Sequence, residues 1–226
     1  MDPDGAPDAS GDLAGLRAAM VAAGRRMGAR GLISAGEGNL SIRLPGNRLL
    51  VTPSGLRKDE LAPDDLLVVG IEPGEFASPS GRPPTSDLAI HRAVHGRRPD
   101  VLAVAHAHPP ATLALTLAGE GADPSALPET ALLLPRLPFV AFASPGSAEL
   151  AGRIAEALAE PPGPLAGAVL LERHGAVAVG TGSADADEAA LIAALGQAID
   201  RLELVEVLCR STRDALLMRA ARRTID

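Results

Sequence analysis

The sequence predicts a mixed α/β fold in which helices cover a β-sheet that is not purely parallel. Short apolar runs typical of buried strands alternate with longer segments of helical periodicity. Two strand-like segments, 41–44 and 48–51, flank Pro45-Gly46-Asn47 and predict an antiparallel hairpin. The chain has 226 residues, which is enough for one domain with a sizeable core.

The predicted elements begin with an alanine-rich helix over 13–30, for which Gly31 is a suitable C-cap. The hairpin follows, and a further apolar strand is expected over 65–71. Residues 72–84 are rich in Pro, Gly and Ser, which predicts a loop.

The middle of the chain predicts a helix, a strand and a second helix. Ser86 is expected to cap the first helix, with Asp87 in its first turn. The apolar run 101–104 predicts a buried strand that continues toward two histidines. Pro109-Pro110 breaks this strand and suits the first turn of a helix over 111–118.

The last third predicts a short strand over 139–142, a helix over 148–159, and strands over 168–171 and 176–179. Ser183 is expected to cap a long final helix. The apolar face of that helix recurs at helical spacing, at Leu191, Leu195, Ile199, Leu202, Val205 and Leu208.

Composition excludes several classes of function. The formal net charge is −7 and there is no dense Lys/Arg run, so nucleic-acid binding is not expected. The single cysteine, Cys209, excludes an intrachain disulfide and a Cys-rich zinc cluster, and we expect a buried, unreactive thiol.

The N-terminus lacks the basic start and apolar centre of a signal peptide. We expect residues 1–11 to form a flexible acidic tail, followed by a single domain over 12–226. No apolar run approaches the ~20 residues of a membrane span, so the sequence predicts a cytoplasmic protein without membrane contact.

Three residue types are nearly or wholly absent. Lysine occurs once, at Lys58, so this residue alone could supply the amine of a Schiff-base enzyme. There is no tyrosine and no tryptophan, so a mechanism that needs a phenol from this chain is excluded.

Three of the five histidines lie at the ends of predicted strands. His106 and His108 flank one alanine, and alternate side chains of a strand point the same way. His174 follows another apolar run. Three neutral imidazoles with an open fourth position are typical of a catalytic zinc site, although a polar strand end is the plain alternative. His91 and His95 lie one helical turn apart without the carboxylate of a zinc-protease motif, so we expect them to be structural.

Three small-residue turns carry polar side chains: Gly36–Ser41, Thr52–Gly55 and Pro84–Asp87. Hydroxyls and backbone N–H groups at such turns can bind an anion, although a helix cap explains the last turn equally well. Together the turns suggest a phosphate or a hydroxyl-rich ligand.

Six motifs, in this order and spacing, resemble the class II aldolase and adducin head superfamily. They are Gly38-Asn39-Leu40-Ser41, Thr52-Pro53-Ser54-Gly55, Pro84-Thr85-Ser86-Asp87, Arg98-Pro99-Asp100-Val101, His106-Ala107-His108-Pro109 and Glu172-Arg173-His174-Gly175-Ala176. The resemblance extends over about residues 13–208. It implies a three-layer α/β/α fold with a mostly antiparallel central sheet, and a homotetramer whose active sites lie at subunit interfaces.

The resemblance also implies roles for individual residues. His106, His108 and His174 match the ligands of a divalent metal, usually zinc (Zn2+), with Mn2+ or Co2+ as alternatives. The positions that hold the substrate phosphate are matched by Asn39, Ser54, Gly55, Thr85 and Ser86. Asp87 matches a carboxylate that can ligate the resting metal and that shuttles a proton in the aldolases.

The implied function is a metal-dependent aldolase, an aldehyde-lyase of carbohydrate metabolism, that cleaves a small phosphorylated ketose or related keto compound through a metal-stabilised enediolate. Two alternatives remain: a ribulose-phosphate-type 4-epimerase, and a non-catalytic interaction domain like the adducin head. The chain departs from the aldolases in having Asp87 in place of glutamate and in lacking their proton-donating tyrosine. Glu129 and Arg136 lie in a region that can reach a neighbouring site in this family.

Overall fold

The computed structural model of the chain describes residues 13–74, 76–159 and 165–223. The predicted N-terminal tail over 1–11 lies outside the described residues. Within these ranges, no helix combines the length and the apolar character needed to cross a bilayer.

The described residues form six α-helices and eight strands. The helices are α1 (Ala14–Ala29), α2 (Leu88–Arg97), α3 (Pro110–Leu117), α4 (Pro128–Leu133), α5 (Ala148–Ala159) and α6 (Glu188–Arg223). The strands are β1 (Asn39–Leu44), β2 (Arg48–Val51), β3 (Leu67–Gly70), β4 (Phe76–Ala77), β5 (Val101–Ala107), β6 (Phe139–Val140), β7 (Ala168–Leu171) and β8 (Gly175–Thr181).

The described strands form one sheet in the order β4-β3-β2-β1-β5-β8-β7-β6. Only β6 and β7 pair in parallel within it, so the prediction of a mostly antiparallel sheet is confirmed. The predicted hairpin is β1–β2, and Asn47 takes a left-handed φ of 55° in its turn. The site described below lies at one end of the central strands β1, β5 and β8.

Helices cover both faces of the sheet, and the residues on each face differ in size. Alanines of β5, β7 and β8 point toward the helix layer of α1, α3 and α6, whereas valines of the same strands point toward α2 and α5. The alanine face lets α6 approach the sheet closely. A Cβ on Gly180 of β8 would lie 1.8 Å from the Ala194 carbonyl oxygen of α6.

Two predicted helix caps were wrong. The N-cap position of α2 is Asp87 rather than Ser86, and its side chain makes no capping bond because Asn39 holds it. The helix α6 begins at Glu188 rather than after Ser183, and Asp187 accepts a hydrogen bond from the Ala190 N–H at 2.9 Å.

Three further segments differ from the predictions. The strand expected over 65–71 begins at Leu67, because Pro63–Asp65 forms a 3-10 turn closed by the Asp65 carboxylate. The loop over 72–84 contains β4, which pairs with β3. The helix α4 was not predicted, and it is a short helix with Pro128 in its first turn.

Candidate active site

The three strand-end histidines converge at the ends of two central strands, β5 and β8. His106 is the penultimate residue of β5, and His108 follows the end of that strand. His174 lies in the turn between β7 and β8, just before Gly175. Gly175 has a φ of 85°, and a Cβ there would lie 2.1 Å from the Ala107 carbonyl oxygen. Only glycine permits this close approach, which places His174 beside the end of β5.

The three imidazole rings form a nearly equilateral triangle. Their centroids are 4.8, 4.8 and 5.0 Å apart, with interplanar angles between 64° and 69°. One nitrogen of each ring lies within 4.8 Å of the other two. The Nε2 atoms of His106 and His108 are 3.0 Å apart. Tetrahedral zinc with bonds of about 2.0–2.1 Å places its nitrogens ~3.3–3.4 Å apart, so the cluster is close to a tris-imidazole metal site.

Hydrogen bonding and burial both favour the form of these rings that binds a metal. The Nδ1–H of His106 donates to the Ala176 carbonyl oxygen at 2.9 Å, which leaves Nε2 unprotonated, with a lone pair for a metal. Burial lowers the pKa of His106 well below 6.5, and the neighbouring His108 and His174 lower it further. Burial also lowers the pKa of His108 and that of His174. The rings are therefore neutral near pH 7, as metal ligands must be.

One nitrogen of the cluster lacks a hydrogen-bond partner among the described residues. The Nδ1 of His174 is buried and has no hydrogen-bond partner in the described parts of the chain. An orphaned buried nitrogen is rare in folded proteins unless a water or an ion satisfies it. The donor set and the spacing of the three rings therefore fit a divalent cation.

Asp87 approaches the cluster from the start of α2. Its Oδ2 lies 3.9 Å from Nε2 of His106 and accepts a hydrogen bond of 2.9 Å from Nδ2 of Asn39. Among the residues described, no group donates to its other oxygen, Oδ1. Asp87 also lines the adjacent cavity, so a ligand bound there would lie beside this residue.

A buried chain of polar side chains lies behind Asp87. Nε2 of His91 is 2.7 Å from Oδ1 of Asn39, and Nδ1 of His91 is 2.7 Å from Oγ of Ser41. The same hydroxyl is 2.9 Å from Nε2 of His95. The structure thus supports the predicted structural role of both helical histidines, and it shows that they reach Asp87 through Asn39.

The second and third polar turns are joined to each other by backbone hydrogen bonds. The Ser54 N–H donates to the Pro83 carbonyl, and the Thr85 N–H donates to the Thr52 carbonyl. The Thr85 hydroxyl also accepts a bond of 3.3 Å from the Asp87 N–H, so this turn orients the start of α2.

A cavity of about 180 Å³ opens between these turns and the histidine cluster. All five residues predicted to hold a phosphate line it, and so do Asp87, His108 and His174. The five are Asn39, Ser54, Gly55, Thr85 and Ser86. His106 is fully buried behind them. Glu129 and Arg136 do not line this cavity in the chain as described.

Two charged residues that line the cavity were not assigned to the site from the sequence. Glu37 lies 3.6 Å from Nδ1 of His108 through its Oε2, and its Oε1 accepts from the N–H and hydroxyl of Ser34. Lys58 is buried at the cavity wall. The signal that could have found Lys58 was its status as the only lysine of the chain.

A comparison of sequences identifies the family. The sequence model described as "Class II Aldolase and Adducin N-terminal domain" matches residues 18–211. The chain belongs to this family. The three-layer fold and the mostly antiparallel sheet that the resemblance implied are those of its class II aldolase relatives.

Solved and curated members of the class II aldolase family show how far the similarity extends. The crystal structure of L-fuculose-1-phosphate aldolase from Thermus thermophilus superimposes with a TM-score of 0.79 at 32% identity, covering 92% of this chain and 97% of that one. The 3-oxo-tetronate 4-phosphate decarboxylase of Haemophilus influenzae is 31% identical over 173 residues, 74% of this chain and 78% of the relative.

A third class II aldolase relative is more similar over a shorter stretch. The 5-methylthioribulose-1-phosphate/5-deoxyribulose-1-phosphate aldolase of Rhodospirillum rubrum is 38% identical over 109 residues, 48% of this chain. The matched stretch spans about half of the relative's length, 48%. The names of the three relatives give two reactions, those of an aldolase and of a decarboxylase, on different phosphorylated substrates, so family membership alone does not fix a reaction.

Proposed function

We propose that this chain is a metal-dependent lyase of the aldehyde-lyase type, which cleaves a carbon–carbon bond in a small phosphorylated ketose or related keto compound. The observation that carries the proposal is the position of Asp87. Its carboxylate lies 3.9 Å from His106 in the histidine cluster and also lines the cavity of the polar turns. A substrate in that cavity therefore meets a carboxylate and a metal-binding cluster at once.

His106, His108 and His174 would hold the cation, with zinc as the expected metal and Mn2+ or Co2+ as alternatives. When bound, a divalent cation acts as a Lewis acid that polarises the substrate carbonyl. The three rings are neutral for the reasons given above, so binding requires no proton to be displaced from them near pH 7.

The substrate phosphate is proposed to lie against the joined turns. The hydroxyls of Ser54, Thr85 and Ser86 and the backbone N–H at Gly55 supply neutral donors for its oxygens, whereas the Thr85 N–H is already donated to the Thr52 carbonyl. Asn39 contributes less than the sequence suggests, because its Oδ1 faces His91 and one Nδ2 hydrogen is used by Asp87.

Asp87 is proposed to carry the proton to and from carbon. In cleavage, the bond between the two fragments breaks and its electron pair stays with the carbonyl fragment, whose carbon then takes a proton from Asp87. In the reverse direction Asp87 removes this proton, which the neighbouring polarised carbonyl has made acidic. The hydroxyl proton lost by the aldehyde fragment passes to water, because the chain has no tyrosine to receive it, and water returns one proton to Asp87 before the next cleavage.

A decarboxylase is the second candidate, and the similarity to the Haemophilus protein over 74% of this chain favours it. Loss of CO2 from a β-keto acid leaves the same kind of electron pair beside a carbonyl, so the cluster and Asp87 would serve both reactions. The 4-epimerase hypothesis rests on aspartate at position 87. The triad of histidines argues against a purely non-catalytic interaction domain, which has no need of metal ligands.

The test is a product analysis with the zinc-reconstituted protein. The protein is incubated separately with L-fuculose 1-phosphate, 5-methylthioribulose 1-phosphate, ribulose 5-phosphate and 3-oxo-tetronate 4-phosphate, and products are followed by NMR. We expect a free aldehyde and a phosphorylated carbonyl fragment from at least one ketose phosphate, and none with the His108→Ala variant. Xylulose 5-phosphate without aldehyde, or CO2 release alone, would overturn the lyase in favour of the epimerase or the decarboxylase.

A further inference from the structure

The only lysine of the chain is buried at the wall of the cavity. Lys58 is one of 21 basic Lys and Arg residues, and the other twenty are arginines. Its residue is 2% exposed. Elsewhere the chain uses arginine for its basic side chains. At this buried position it has an ammonium, a compact cation with three hydrogen-bond donors, in place of a planar guanidinium.

Two of the three ammonium hydrogens are used by backbone carbonyls. Nζ donates to the Gly36 carbonyl oxygen at 2.8 Å and to the Leu56 carbonyl oxygen at 2.5 Å. These bonds hold the ammonium between the two loops that form the walls of the cavity. Within the described ranges, the third hydrogen has no acceptor.

The buried charge also lacks a close counter-ion. In the described part of the chain no carboxylate oxygen lies within 4.0 Å of Nζ, and Asp87 acts on it only at longer range. Burial lowers the pKa of Lys58, against the opposing effect of Asp87. A buried cation with neutral partners is unfavourable unless an anion compensates it.

The location of Lys58 indicates where such an anion would lie. Lys58 lines the same cavity as the Ser54-Gly55 turn and the Thr85-Ser86 turn. Those turns offer hydroxyl and N–H donors but no positive charge, so a phosphate bound by them alone would keep its full charge uncompensated.

We propose that Lys58 is a substrate-binding residue whose third ammonium hydrogen is donated to the phosphate held between the two turns. This inference rests on the proposed function in one respect, the phosphorylated substrate. It assigns to Lys58 the charge compensation that the neutral turn residues cannot provide, and it gives the buried ammonium its missing partner.

The single lysine permits a direct test. Zinc-reconstituted protein labelled with [15N]lysine has one side-chain ammonium signal, which is followed by NMR while inorganic phosphate is added, with sodium chloride at matched ionic strength as the control. We expect a saturable shift with phosphate and none with chloride. An Nζ signal that phosphate leaves unmoved would overturn the proposal without any variant, so the test holds even if substitutions unfold the protein.

A matched pair of variants measures the contribution. Lys58→Met should weaken phosphate binding by about tenfold or more, while zinc content stays at that of the unsubstituted protein. Arg57→Met removes the adjacent cation, which is already paired with Asp59 and Glu60, and should leave phosphate binding unchanged. Equal phosphate affinity in Lys58→Met and the unsubstituted protein would contradict the proposal.

The outcomes separate this inference from the proposed function. Phosphate binding at Lys58 without turnover of any sugar phosphate would sink the lyase and leave the anion site standing. Turnover in the unsubstituted protein together with an unmoved Nζ signal would remove Lys58 from the binding site and leave the lyase standing.

Discussion

His91 and Asp87 are connected through a single side chain, the amide of Asn39. Its Oδ1 lies 2.7 Å from Nε2 of His91, and its Nδ2 donates to Oδ2 of Asp87 at 2.9 Å. Because Oδ1 of an amide only accepts, Nε2 of His91 must carry the hydrogen. The ring of a fully buried histidine thereby sets the orientation of the amide, and the amide sets that of the carboxylate.

The first prediction concerns this connection. His91→Phe keeps a buried aromatic ring but leaves Oδ1 of Asn39 without its partner and Ser41 with His95 alone, which should lower the free energy of unfolding by about 2–4 kcal/mol. It should also lower kcat about tenfold with zinc content unchanged, because Asp87 loses its orientation. Urea unfolding, metal analysis and steady-state kinetics measure the three quantities.

His95→Phe is the matched control for this effect. His95 is equally buried and contacts the same Ser41 hydroxyl, but it lies one link further from Asp87. We expect a similar loss of stability with a smaller loss of kcat. Equal effects of both variants on kcat would show that these buried polar side chains affect activity only through the stability of the fold.

The second prediction concerns the metal. His108→Ala removes one of the three ring nitrogens and should reduce bound zinc from about one per chain to nearly none, since two imidazoles hold zinc poorly. His108 is a half-buried residue at the strand end, so the metal-free variant should lose little stability relative to the metal-free parent. Mass spectrometry for zinc and urea unfolding of both metal-free proteins measure these effects, and full zinc retention would remove His108 from the site.

The third prediction separates binding from chemistry at Asp87. Asp87→Ala should keep the metal, because the three histidines remain, but should lower kcat by about 10²–10⁴-fold through loss of the proton-carrying group. Asp87→Asn is the control that keeps the shape of the side chain without its basicity, and it should be equally inactive. Rates close to those of the parent in either variant would exclude Asp87 from the proton transfer.

The fourth prediction is a pH dependence of stability caused by His91. Burial lowers the pKa of His91 from 6.5 to about 4, with Asp87 opposing the shift. Below pH 6.5 the unfolded chain takes up a proton that the folded chain refuses, so stability is lost as the pH falls from 6.5 toward 4. At pH 5 this residue alone accounts for a loss of about 2 kcal/mol. Urea unfolding of metal-free protein between pH 7.5 and 5 should show a shallower loss in His91→Gln than in the parent.

The sequence predicted which residues form the histidine cluster and line the cavity, but it did not predict the hydrogen bonds that connect Asp87 to the residues behind it. A His-X-His pair at a strand end follows the two-residue repeat of a strand, so His106 and His108 could be recognised from local spacing. The contact between His91 and Asn39 could not, because it depends on how α2 packs across β1. A second tertiary contact explains why the cap of α2 lacks a side-chain bond: Asn39 engages the carboxylate of Asp87, the residue at the N-cap position.

The last prediction concerns the glycine that positions His174. Gly175 has a left-handed φ of 85°, and a Cβ there would meet the Ala107 carbonyl oxygen at 2.1 Å. Gly175→Ala should therefore lower the free energy of unfolding by about 3 kcal/mol or more and, by displacing His174, weaken zinc binding.

Gly152→Ala is the control for the fifth prediction. Gly152 lies within α5, where an added Cβ meets no atom within 4 Å, so alanine should stabilise the helix by about 1 kcal/mol and leave zinc binding unchanged. Urea unfolding and competition with a zinc chelator distinguish the two variants. If Gly175→Ala kept the zinc affinity of the parent, the close approach of Gly175 to Ala107 would not be what holds His174 in the cluster. The other contacts of the turn would then suffice, among them the His174 N–H bond to the Leu171 carbonyl and the packing of Arg173 on Phe142, 4.0 Å from the ring centroid.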